Sequence, residues 1–161
     1  MLRRDYSGQT CSIAATLELI GERWTLLILR DAFLGIRRFD DFQARLGIAR
    51  NVLQARLERL VEQGLLTRVE YQQRPRRFEY RLTSKGVDLW PVLVALMKWG
   101  DKHASQGGPP VVLRHVDCGG EVDDRRICSK CSKPLEPDEV RAELGPGAKR
   151  GQGTPGAPVA A

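Results

Sequence analysis

The sequence predicts a mainly α fold carrying one small β-hairpin, an α+β chain, with a compact appendage behind it. Three observations predict it. Apolar residues recur at helical spacing over most of residues 12–106, the period drops from 3.6 to 2 for one stretch after Gly64, and a paired His/Cys set follows the breaker run Gly107-Gly108-Pro109-Pro110. These shifts divide the chain into an N-terminal arm (1–10), a main domain (11–106), a linker (107–110), an appendage (111–144) and a tail (145–161). The tail, GPGAKRGQGTPGAPVAA, has almost no branched apolar residue to bury and is expected to be disordered.

Ile13, Leu17 and Ile20 fall on one helical stripe stopped by Gly21. Trp24 to Leu34 is nearly continuous apolar sequence ended by Gly35, which suits a helix buried on most sides. Phe39, Phe42 and Leu46 give a short third helix ended by Gly47, and Leu53, Leu57, Leu60 and Val61 point a fourth inward before Gly64. The short connection Leu46 to Ala49 makes the third and fourth a helix-turn-helix candidate.

Beyond Gly64, Val69 and Tyr71 alternate with Arg68 and Glu70, and Phe78, Tyr80 and Leu82 alternate with Glu79 and Arg81. That is the pattern of a two-stranded hairpin with one face on the core, closed by the basic loop Gln72 to Arg77. Thr83 is placed to cap a last helix running to about Ser105, with Leu89, Trp90, Leu93, Leu96, Met97 and Trp99 spread over more than one face. Pro91 lies too far from that cap for a first-turn proline, so a kink is expected there. Three helices, a fourth in position to read a groove, and a basic-tipped hairpin describe a winged helix-turn-helix.

The 161 residues carry 26 basic and 20 acidic side chains, net +6. Residues 1–114 hold a net +7 and residues 115–161 a net −1, so the excess that would suit a polyanionic partner sits in the first part of the chain. No run approaches the roughly 18 to 20 apolar residues that span a bilayer, and MLRRDYSGQT has no apolar signal core, so a cytoplasmic protein with no membrane partner is expected.

The stretch from CSIAATLELIGERWTLLILRDAF through RRFDDFQARLGIARNVLQARLERLVEQGLLTRVEY to RPRRFEYRLTSKGVDLWPVLVALMKWG resembles the HxlR-type family of bacterial winged-helix transcriptional regulators, relatives of the MarR group. The resemblance spans roughly residues 6–105. It implies a homodimer on a pseudo-palindromic DNA operator, commonly as a repressor and sometimes as an activator. The family usually places serine where this chain has Ala49, which cannot cap the helix behind it.

The residues support double-stranded DNA as the partner independently. With Leu53 in the core, steps of roughly 100° per residue turn Asn51, Ala55, Glu58 and Glu62 outward, with Gln54 and Arg59 on the flanks. Asn51 and Gln54 can each contact an adenine edge through two hydrogen bonds, and Ala55 can meet a thymine methyl, so A·T pairs are the expected preference. Arg50 can take guanine or phosphate. In the wing, Arg74, Arg76 and Arg77 flank Pro75, and Arg37 and Arg38 precede the third helix; these five are expected at phosphates, adding affinity more than sequence choice.

His115-x2-Cys118-Gly-Gly and Cys128-x2-Cys131 form two knuckles separated by nine residues. The spacing matches a small zinc ribbon with four ligands, one structural Zn²⁺ per chain, which would supply the folding free energy that so short a segment lacks. Other readings are a redox-active Cys128/Cys131 pair and unliganded thiols beside an exposed His115. Cys11 opens the first helix, whose amides favour a thiolate. The family resemblance implies a sensor for oxidants or electrophiles there; the alternative is a small residue at a dimer contact. His103, Trp24, Trp90 and Trp99 read as structural.

A closed four-ligand site leaves no position for a reacting water, and with two histidines and no H-x-E or HExxH pattern a zinc hydrolase or deaminase lacks its general base. The chain therefore reads as a non-enzyme. The alternative is a protein-interaction module that uses the winged helix and the ribbon as docking surfaces. No small-molecule effector can be read from the sequence.

Overall fold

The structure, a computed structural model, describes residue 6 and residues 8–148. The expected arm therefore lies partly, and the expected tail from residue 149 onward entirely, outside the described residues. The chain folds as two compact units, one comprising residues to Ala32 and Arg37–Thr83, the other Phe33–Ile36 and Ser84 onward.

The first unit contains α1 (Ser12–Ile20), α2 (Thr25–Phe33, ending in the other unit), α3 (Phe39–Leu46), α4 (Arg50–Glu62) and the hairpin β1 (Leu66–Gln73) and β2 (Arg76–Leu82). Its core is built from Ile28, Leu29, Phe42, Leu53, Leu57 and Leu60, which the helical spacing turns inward, and from Leu66 at the start of β1. The stripe on α1 differs from expectation: Ile20 and Ala14 are buried, whereas Ile13 is 70% exposed. Trp24 stands just before α2 with a left-handed φ of 77°, its carbonyl accepting from Ile28, so the helix begins one residue later than the apolar run suggests. Charge enters the core at Asp31, which is fully buried on α2 and takes Arg30 Nη2 at 2.9 Å and Arg45 Nε at 3.5 Å, tying α3 to α2.

Gly47 supplies the left-handed turn (φ 63°) between α3 and α4, a conformation that costs glycine little, and Ile48 is buried in the connection. Ala49 occupies the N-cap position of α4 without a side-chain hydrogen bond. Ala49→Ser is expected to raise stability by about 1 kcal/mol, read as a higher urea midpoint with unchanged slope. An unmoved midpoint would mean that the first amides of α4 have other partners.

The hairpin corrects one expectation. Arg68 pairs with Tyr80 and Val69 with Glu79, and directly opposed residues share a face. Val69 therefore lies on the opposite face from Phe78 and Tyr80, Tyr71 falls at the irregularity between Glu70 and Gln72, and both Val69 and Tyr71 are exposed. The two alternations are out of phase, so among the residues of the two strands only Leu66, at the root opposite Leu82, is fully buried. Away from the root, arginines cover the aromatic rings: Arg68 lies 4.3 Å above Phe78 and Arg38 4.7 Å above Tyr71. The Arg37–Arg38 segment runs beside β2, with Tyr80 N–H donating to Arg37 O, and roots the wing at the start of α3.

In the second unit the expected single helix is broken in two, α5 (Ser84–Val87) and α6 (Trp90–His103). Pro91 sits in the first turn of α6, where its missing N–H costs nothing, so the break replaces the expected kink. Thr83 precedes α5, and its hydroxyl donates to Gly64 O at 2.6 Å, stitching the hairpin to the end of α4. Trp90 and Val94 are buried, Trp90 against Phe33 at 5.4 Å, while Val92, Leu96 and Trp99 on the same helix remain exposed.

The appendage is framed by β3 (Val111–His115) and β4 (Val140–Leu144), antiparallel from Val111↔Leu144 to His115↔Val140. It groups with α6, so the division of the chain falls at Thr83 and not at the glycine–proline run. The run is itself paired: Gly145 N–H donates to Pro110 O and Gly147 N–H to Pro109 O, which continues order four residues into the expected tail. Among the described residues no helix is long and apolar enough to cross a membrane.

Candidate nucleic-acid interface and metal centre

On α4, Leu53, Leu57 and Leu60 are buried, which leaves Asn51, Gln54, Ala55 and Glu58 exposed on the outer side. Gln54 Nε2 donates to Glu58 Oε1 at 3.0 Å, one turn further along. Arg50 lies 4.5 Å above the Phe39 ring and 3.5 Å from Asp40 Oδ1 in a pair so exposed that water screens most of it. Arg59 turns away from this face, donating to Glu18 O at 3.1 Å. Arg56, which sequence reasoning missed, holds Glu22 at 2.7 Å and Arg23 O at 3.2 Å. The Arg59 bond braces α4 against α1, and the two Arg56 bonds brace it against the turn between α1 and α2.

At the wing tip Gln73 pairs with Arg76 across Arg74 and Pro75. Arg76 is committed to Glu70, with Nη2 at 2.7 Å and Nε at 3.0 Å from Oε2. Among the described residues neither Arg74 nor Arg77 has an ion-pair partner, so these two guanidiniums stand in water. Arg38 approaches Glu79 Oε1 at 3.6 Å, and the Glu79 carboxyl is held below its ordinary range, by the Arg81 hydrogen bond first and then by the charges of Arg81 and Arg38. The surface offers an acceptor and donor row on α4, flanked by free cations on the wing and by Arg37 and Arg38 before α3.

The second unit gathers His115, Cys118, Cys128 and Cys131 with all their ligand atoms within 4.8 Å of one another. His115 Nδ1 lies 3.2 Å from Cys118 Sγ and 3.4 Å from Cys131 Sγ, and Cys118 Sγ lies 3.3 Å from Cys128 Sγ. His115 is delivered by the end of β3, and the turn that brings Cys118 back is closed by Gly119 N–H to His115 O and His115 N–H to Gly120 O. A Cβ at Gly120 would stand 2.3 Å from Cys128 Sγ, so the Cys-Gly-Gly sequence is what lets the two knuckles close.

The Cys128 thiol is brought down to about 6, chiefly by the backbone N–H of Cys131 and also by that of Lys130, while the neighbouring sulfurs hold the Cys118 thiol up. One site thus stabilises one thiolate and resists a second. That conflict is relieved when a cation sits between the sulfurs. His115 is 3% exposed, and its Nε2 has no hydrogen bond closer than the 3.4 Å approach of Asp117 Oδ2. With Nδ1 toward the sulfurs and Nε2 toward a carboxylate, the ring has the orientation of a metal-ligating histidine. The residues fit a tetrahedral metal ion with soft and borderline donors.

Cys11 stands exposed at the N-cap of α1, and the amides of Ala14 and then Ile13 lower its thiol below the ordinary value. Trp99 is exposed and packs on His103 at 5.0 Å.

The profile of the HxlR-like helix-turn-helix family matches residues 19–107. Rv3095 of Mycobacterium tuberculosis, named an uncharacterized HTH-type transcriptional regulator, is 50% identical over 139 residues, 86% of this chain and 88% of its own. The solved structure of PA1374 from Pseudomonas aeruginosa is 41% identical with a TM-score of 0.53 and covers 87% of this chain and 96% of its own. The redox regulator HypR in its oxidized form is 29% identical with a TM-score of 0.55, covering 60% of this chain and all of its own.

Proposed function

The chain belongs to the HxlR-like helix-turn-helix family of transcriptional regulators, and from that membership we propose that it is a cytoplasmic homodimeric repressor which binds a pseudo-palindromic operator. The observation that carries this reading is the exposed row Asn51, Gln54 and Ala55 at the N-terminal half of α4, in the same unit as a wing tip whose Arg74 and Arg77 have no ion-pair partner among the described residues. The row supplies base-edge contacts and the wing supplies phosphate contacts. Val92, Leu96 and Trp99 on α6, and Ile13 on α1, are apolar surface that a second copy would cover. The Cys/His cluster holds one structural zinc per chain.

Cys11 makes the repressor responsive to oxidants. The similarity to HypR and the lowered, exposed thiol support this role. Footprinting on the DNA upstream of the chain's own gene tests the whole reading. Reduced protein should protect two half-sites about 34 Å apart, and oxidant should shift the pattern in the wild type but not in Cys11→Ser. An oxidant response that survives in Cys11→Ser moves the sensor to the Cys128/Cys131 pair. Failure to protect any duplex leaves the protein-interaction module as the better reading.

A further inference from the structure

Glu58 is out of place on a helix face that meets polyanions. One turn from Gln54 and on its exposed side, a carboxylate lowers affinity for every duplex unless it has other work. It accepts a hydrogen bond from the Gln54 amide at 3.0 Å. An ionised carboxylate only accepts hydrogen bonds, so Glu58 admits the NH2 end of the Gln54 amide and excludes the carbonyl end. The amide is then oriented before any DNA arrives: Nε2 toward the helix C-terminus with one N–H spent and one free, Oε1 pointing away. On the wing, the half-buried Tyr80 of β2 has its hydroxyl held up by burial first and then by the charge of the exposed Glu58, against which the Arg68 guanidinium on β1 acts.

We infer that Glu58 is a positioning residue for sequence readout, which fixes the orientation of the Gln54 amide so that a free carbonyl oxygen and a free N–H are presented in one order to the edge of an adenine. This rests on the reading of α4 as the groove-facing helix. An untethered glutamine would have to give up its rotamer freedom on binding and could offer donor and acceptor in either order; the tether removes both costs in advance. Glu58 therefore acts on discrimination at one base pair and not through a base contact of its own.

Two measurements on the full-length protein test this. In the free protein the Gln54 side-chain NH2 should show one proton hydrogen-bonded and slow to exchange by NMR, and Glu58→Gln should abolish that asymmetry because a second amide can accept or donate. Selection from a randomised duplex pool should then show the adenine preference at the Gln54 position reduced about fivefold by Glu58→Gln, roughly the worth of one hydrogen bond, and removed by Gln54→Ala. Glu58→Gln added to Gln54→Ala should change that position no further.

The inference is overturned if Glu58→Gln keeps the wild-type preference where Gln54→Ala loses it. It is overturned equally if Glu58→Gln alters a different base pair, which would make Glu58 a reader in its own right. If Gln54→Ala itself leaves every position unchanged, or no duplex is retained, the groove-facing assignment of α4 fails instead.

Discussion

Serine in place of Cys118 or Cys131 is expected to release the metal and unfold residues 111–144 while the first unit stays folded. The apolar core of the appendage is confined to a few side chains, Val112, Leu113, Val122, Leu135, Val140 and Ala142, which is little to hold two strands and two knuckles together. Structural zinc contributes on the order of 10 kcal/mol in small metal-held peptides, more than such a core can replace. Gly120→Ala should reproduce the loss with all four ligands in place, because its methyl group would collide with Cys128 Sγ. Chelator should act on the wild type in the same way, and acid should too, since protons compete with the metal for the thiolates.

Elemental analysis and amide NMR give the result. Bound zinc near one per chain should fall toward zero in each variant, with resonances of residues 111–144 collapsing and those around Phe42 and Leu53 in place. Wild-type protein purified without zinc but with a folded appendage would refute a metal-held ribbon, and a Cys128–Cys131 disulfide would establish the redox pair instead. The Lys98–Glu121 ion pair, 3.2 Å long, links α6 to the appendage, so operator affinity measured on the same samples reveals whether the ribbon braces the proposed dimer helix.

The parts of this molecule that were legible in the sequence are those in which one local rule decides the outcome. Leu53, Leu57 and Leu60 set the orientation of α4 by spacing alone, and the paired knuckles marked His115, Cys118, Cys128 and Cys131 because tetrahedral coordination leaves few spacings. The hairpin register was not legible, because each strand alternates correctly and only their mutual phase, set by the turn and by the irregularity between Glu70 and Gln72, separates Val69 from Phe78. The break before Pro91 was hidden because proline forbids a helix interior but suits a helix start, and periodicity does not say which. Asp31 reads as a polar interruption of an apolar run, and its burial depends on Arg45 arriving from another helix. Arg59 was placed by its angle on the helix, while the competing acceptor, Glu18 O, lies 41 residues away in sequence.

That last distinction makes the arginines separable by experiment. Arg74→Ala with Arg77→Ala is expected to weaken binding to specific and random duplexes alike, because both are exposed cations at the wing tip with no ion-pair partner among the described residues. Each lost phosphate contact should flatten the slope of log affinity against log salt by about 0.9, so the double variant should lose nearly two units if both touch phosphate. Arg76→Ala should cost less, since its guanidinium is already held by Glu70 and must exchange one acceptor for another. Arg59→Ala should leave the slope where it was and act only through stability. Asn51→Ala should do the reverse of the wing: a loss of about 1–3 kcal/mol confined to duplexes carrying the preferred base, with random DNA bound as before. Titrations from about 50 to 200 mM salt cover the range over which such slopes are resolved. If Arg59→Ala flattens the slope as much as the wing pair does, its bond to Glu18 O must open on binding and the helix enters the groove along a different edge. If Asn51→Ala and the wing variants instead lower all affinities in parallel, α4 lies against the backbone, and the bases are read elsewhere.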